Sequence, residues 1–170
     1  MRLKNVINFI VGVATGYIAS SIWTISGMKV DAERKAEIQP GTLDKEKKYR
    51  MYYNVLNQWM LLKNRGEKIA DIIANAGCKN IAIYGMGELG RRLYEELRDS
   101  EVVVKYCIDN MPRDNNYEVP IISSREEYEQ VDLIIVTPVY EFVDIKNKIQ
   151  KNYSYRCESL QSVVFQELEK

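Results

Sequence analysis

The stretch YGMGELGRR, Tyr84 to Arg92, limits what this chain can fold into more than any other. Gly85, Gly87 and Gly90 follow directly on the apolar run Ile81-Ala82-Ile83-Tyr84. They open a segment in which Leu89, Leu93 and Leu97 share one helical face. A short apolar run ending at glycine reads as a buried strand, and the leucine spacing reads as a helix packed on it. A strand, a tight turn and a helix in direct succession are the first half of a crossover to a parallel neighbour.

The alternation continues downstream. Val102 to Ile108 reads as a second strand and Val119 to Ile122 as a weak third, followed by a polar helix over Arg125 to Glu129. Val131 to Val139, VDLIIVTPV, reads as a buried fourth strand, with an amphipathic helix on Phe142, Ile145 and Ile149 behind it. Tyr155 to Cys157 reads as a last strand before a terminal helix around Val163, Val164 and Leu168. This spacing predicts an α/β domain: a Rossmann-like, doubly wound parallel sheet of about five strands in the order 3-2-1-4-5.

Upstream, Tyr49, Tyr52, Tyr53, Leu56, Trp59 and Met60 recur at three- and four-residue steps from about Leu43, and Gly66 ends the pattern. An aromatic stripe of this kind is expected to pack on its own domain. A second short helix carries Ile69, Ile72, Ile73 and Ala76, with Gly77 in the C-cap position.

The glycines spell G-x-G-x-x-G in the context that gives the pattern meaning, after a strand, opening a helix, with an acid ending the next strand. That acid is Asp109, 24 residues beyond Gly85. Gly85 suits the tight turn, Gly87 lets backbone approach a pyrophosphate, and Gly90 lets helix and strand pack closely. The helix N-terminus presents N–H groups and partial positive charge to phosphates. Gly85, Met86, Gly87, Glu88, Leu89 and Gly90 are therefore the candidate cofactor loop, with Asp109 a candidate ribose acceptor that favours NAD over NADP. Thr137 and Pro138, at the tip of the fourth strand, are expected across the switch point from it. Glu88 sets a carboxylate where an incoming pyrophosphate would sit, while Arg91 and Arg92 are expected to face solvent.

Val6 to Met28 carries no charge over 23 residues, and roughly 20 suffice to span a bilayer as a helix. The segment is expected to be a transmembrane anchor, the rivals being a cleaved signal peptide and an interfacial helix. Gly12, Gly16 and Ser20 line one face of it and suggest a homodimer in the membrane. Lys and Arg are more numerous after the span than before it, which places the globular body in the cytoplasm. The organisation expected is thus an anchor at residues 1–28, a linker at 29–42, a helical lead-in at 43–78 and the nucleotide-binding domain at 79–170.

Composition narrows the chemistry. There is no histidine, which removes the commonest general base and zinc ligand. Cys78, Cys107 and Cys157 form no C-x-x-C pair, so no metal is expected and the cysteines read as buried apolar residues. Lys plus Arg and Asp plus Glu both number 24, so nucleic acid is not expected as a partner.

The segment KNIAIYGMGELGRRLYEELRDSEVVVKYCIDN resembles the nucleotide-binding domain of bacterial surface-polysaccharide proteins. It is similar to the N-terminal Rossmann domain of sugar-nucleotide dehydratases, of sugar acyltransferases that modify bacillosamine, and of modules appended to glycosyltransferases. The resemblance covers roughly residues 67 to 160 and is specific to fold more than to activity. It implies that Gly85, Gly87, Gly90 and Asp109 hold NAD or a nucleotide-sugar, and that glycan-synthesis enzymes are partners. The catalytic parts of that group are missing. None of the twelve tyrosines has a lysine four positions on, and no hexapeptide repeats follow the domain. Three readings stay open: a non-catalytic nucleotide-binding accessory protein, an NAD-dependent oxidoreductase or sugar-nucleotide modifier completed by a partner chain, and a pure interaction scaffold.

Overall fold

Five short strands form one all-parallel sheet in the order β3-β2-β1-β4-β5. They are β1 (Asn80–Tyr84), β2 (Val103–Ile108), β3 (Ile121–Ile122), β4 (Leu133–Val136) and β5 (Cys157–Ser159). The helices are α1 (Pro40–Asn64), α2 (Ile69–Asn75), α3 (Glu88–Leu97), α4 (Phe142–Gln150) and α5 (Leu160–Val164), with a 3-10 turn at Val139–Glu141. The computed structural model describes residues 40–111 and 117–168, with side chains from Asp44 onward. Residues 48–170 form one unit, and the described residues before Lys48 are the opening turns of α1. The α/β class, the strand number and the strand order agree with the sequence.

Alternation along the strands splits the core into two layers, because successive side chains of a strand face opposite sides. Ile81, Ile83, Leu133 and Ile135 face one side, where they pack with Val55, Trp59 and Leu62 of α1, Ile73 of α2, Leu93 of α3 and Val163 of α5. Ala82, Tyr106, Ile108, Ile134 and Val136 face the other and meet Ile145 and Ile149 of α4. Helices therefore flank both faces.

The register decides what meets at the carboxyl edge. Tyr84 lies opposite Ile108 of β2 and opposite Val136 of β4. The next residue of each strand is Gly85, Asp109 and Thr137, so all three leave the sheet at one level.

Several elements differ from expectation. No helix forms over Arg125 to Glu129; the segment turns at Ser124–Arg125 and then runs irregularly. Tyrosine hydroxyls instead supply donors to backbone carbonyls of this irregular segment. Tyr106 donates to Glu129 O at 2.6 Å, Tyr128 to Ser124 O at 2.9 Å and Tyr155 to Tyr128 O at 2.9 Å. The rings of Tyr128, Tyr153 and Tyr155 stack, with centroids 5.1 and 4.9 Å apart.

Strand β4 stops at Val136 rather than Val139, because Thr137 and Pro138 turn toward the glycine loop. Strand β5 lies two residues later than expected, at Cys157–Ser159. Helix α1 opens at Pro40 rather than at about Leu43, since proline is tolerated in a first turn where no intrahelical N–H bond is needed. The aromatic stripe of α1 is divided. Trp59 is buried and Tyr52 half-buried, whereas Tyr49, Tyr53, Leu56 and Met60 are exposed.

The anchor expected at residues 6–28, its glycine stripe and nearly all of the linker lie outside the described residues. Among the described residues no helix is long and apolar enough to cross a membrane.

Candidate functional site

The glycine loop closes against the tip of β4. Gly85 has φ +91°, a left-handed conformation that L side chains rarely adopt. A Cβ there would stand 2.7 Å from Pro138 Cδ and 3.0 Å from Thr137 Oγ1. Buried Thr137 donates its hydroxyl to Gly85 O at 2.7 Å, and its backbone N–H donates to Tyr84 O at 2.9 Å. A Cβ on Gly90 would stand 1.9 Å from Gly85 O, so the helix reaches the turn only with glycine at that position. Fold demands alone account for Gly85 and Gly90.

Gly87 is different. Its φ of −70° suits any residue, and an added Cβ would meet nothing within 4 Å. It is the N-cap of α3 and supplies no side-chain cap to that helix. Neither packing nor dihedral angle requires glycine there, and the space above it is open.

Asp109 holds the loop from the other side. Its carboxylate accepts from Met86 N–H at 2.7 Å and from Met111 N–H at 2.8 Å. The side chains of Met86 and Leu89 are buried in the core, so Met86 meets this site through its backbone. Glu88 is turned along the helix into an ion pair with Arg91, which is partly buried, while Arg92 pairs with Glu95 at the surface.

Gly87, Glu88, Leu89, Thr137 and Pro138 line an open groove of about 320 Å³ at the carboxyl edge, between the ends of β1 and β4. Asp109 does not line it. The remaining wall comes from α1, in Tyr52 and Leu56, which the sequence did not mark as site residues. Helix α1 is held there by Lys48, whose ammonium lies 3.2 Å from Glu141 Oε1 and 5.9 Å from the Tyr140 ring centre. The Glu141 carboxylate holds the Lys48 ammonium above its ordinary value, and burial does the same for the Tyr52 phenol. The groove is mostly apolar, with helix-terminal backbone at its floor. It brings no acid–base pair to one point.

The cysteines lie elsewhere. Burial pushes the thiol of Cys107 up to about 12 and that of Cys157 up to about 11, so neither is a nucleophile at neutral pH. Among the described residues no group of three or more His, Cys, Asp or Glu side chains is placed to hold a metal ion. No protein-family model, no curated protein and no solved structure matches the chain.

Proposed function

We propose that the chain is a membrane-tethered, Rossmann-like accessory module that binds a nucleotide or nucleotide-sugar at its glycine loop. On this reading it works beside the enzymes of cell-surface polysaccharide synthesis, with its globular body in the cytoplasm, and does no chemistry itself. The observation that carries ligand binding is Gly87: a glycine the fold does not need, open to solvent, at a helix N-terminus in the floor of a groove at the sheet's switch point. Brought to that place, a pyrophosphate meets backbone N–H groups and the positive end of the helix. Tyr52 and Leu56 offer an apolar wall to a base or sugar ring. Asp109 keeps lone pairs beyond its two loop bonds, which leaves it able to share a ribose hydroxyl. The lack of histidine and of a Tyr-x-x-x-Lys pair supports a role in binding rather than turnover.

The test is thermal unfolding of the whole chain in mild detergent with millimolar NAD, NADP or a UDP-sugar. A ligand specific for the native state must raise the midpoint, by about 2.7 kcal/mol of added stability at a hundredfold excess over Kd. NAD or a UDP-sugar is expected to raise it, with NADP weaker. Midpoints unmoved by all three would sink the reading.

A further inference from the structure

Helix α1 carries a second face, beside the one it packs on the sheet. Tyr49, Tyr53, Leu56 and Met60 are 72%, 66%, 50% and 59% exposed and follow one another at steps of four, three and four. That is the spacing of a coiled-coil seam, and it runs about 16 Å along the helix at 1.5 Å per residue. Contiguous large apolar side chains of this extent mark an interaction surface. One step further along the seam at either end stand charged residues, Glu46 before Tyr49 and Lys63 after Met60, both exposed.

These end charges choose the occupant and its direction. We propose that a second copy of the chain docks on this face, with the two α1 helices antiparallel about a two-fold axis between residues 54 and 55. In that register Tyr53 faces Leu56 of the second copy, Tyr49 faces Met60, and Glu46 faces Lys63, each pair occurring twice by symmetry. A parallel pairing would instead set Glu46 against Glu46 and Lys63 against Lys63, placing like charges at both ends of the seam. Lys63 Nζ already lies 2.7 Å from Glu96 of its own chain, and its three donors leave room for a second carboxylate. The four side chains and their surroundings would bury on the order of 1,000 Å² in total, the lower bound for a specific interface, so the association is weak and reversible. Leu56 also lines the groove of the glycine loop and a neighbouring groove of about 410 Å³ between α1 and α3. The second copy would therefore wall both from the solvent side. The docking does not depend on what, if anything, the groove binds.

Cysteine cross-linking of the whole chain in mild detergent tests the pairing, and the native thiols do not interfere because all three are buried. Tyr49→Cys and Met60→Cys chains carrying different tags, mixed and oxidised, are expected to cross-link to each other at least about tenfold more than either does alone. Adding Tyr53→Glu to both should reduce that yield to the level of Val143→Cys, an exposed control on α4. Tyr49→Cys or Met60→Cys chains that cross-link to themselves as well as to each other would overturn the proposal. So would a mixed yield no higher than that of the Val143→Cys control.

Discussion

At the scale of single residues, the three glycines of one motif do three different jobs. Gly90→Ala would drive a methyl group into the Gly85 carbonyl, and the expected cost is about 3 kcal/mol or more in chemical denaturation. Gly87→Ala meets no atom and strains no dihedral angle, so its stability should stay within about 1 kcal/mol of the parent. The same methyl group lies where a pyrophosphate must approach, and it should abolish any stabilisation by NAD or a UDP-sugar. A Gly87→Ala protein that still responds fully to the ligand would remove the reason for placing the site there. Glu88→Gln removes the negative charge nearest the α3 N-terminus and releases Arg91 from its pair. An anionic ligand should then bind roughly five times more tightly in titration calorimetry, the equivalent of about 1 kcal/mol. Asp109→Ala is a poor probe of ribose recognition, since it also takes the acceptor from Met86 and Met111. It should destabilise the free protein by about 1–3 kcal/mol before any ligand is added.

At the scale of elements, the connection from β3 to β4 replaces a helix by a tyrosine lattice. Tyr106→Phe leaves Glu129 O without its donor in a partly buried setting, and a loss of about 1–2 kcal/mol is expected in urea unfolding. The lattice also fixes the response to alkali. Burial pushes the Tyr128 phenol up to about 12 and raises Tyr106 further above its ordinary range, with Cys107 and Cys157 raised for the same reason. A group whose folded value exceeds its unfolded value binds its proton more tightly when folded. That stability is complete below the unfolded values, near 9 for thiols and 10 for phenols, and drains away as pH rises through the folded ones. Unfolding free energy should therefore be flat from pH 7 to 9 and fall steadily between pH 9 and 12. Tyr106→Phe should flatten part of that slope. Arg125 to Glu129 suggests a helix because it is short, polar and free of glycine. The hydroxyls that compete with it come from Tyr106 and Tyr155, which lie distant in sequence and are brought close only by the sheet.

At the scale of the whole molecule, strand order and layering were legible because the chain writes the centre of the sheet locally: β1, β2 and β4 are runs rich in apolar residues, and a helix follows β1 and β4 within a few residues. The floor of the candidate site was legible for the same reason, since Gly85 to Gly90 and Thr137-Pro138 sit at strand ends that the register brings level. Its outer wall was not. The pattern of α1 announced an amphipathic helix, but nothing local says that Tyr52 and Leu56 stand over the glycine loop while Tyr49 and Tyr53 turn away. Asp109 was recognised by position, yet its two loop bonds depend on the turn after β2 and could not be read from spacing. The central claim is that a ligand sits at Gly87, and glycine-selective 15N labelling of the whole chain in mild detergent reports on it site by site. Titration with NAD or a UDP-sugar should shift the amides of Gly85, Gly87 and Gly90 in one saturable transition. Gly66 and Gly77, which lie just past the C-terminal ends of α1 and α2, should stay in place. Glycine-loop amides that hold still while either ligand is raised to several millimolar would contradict the account.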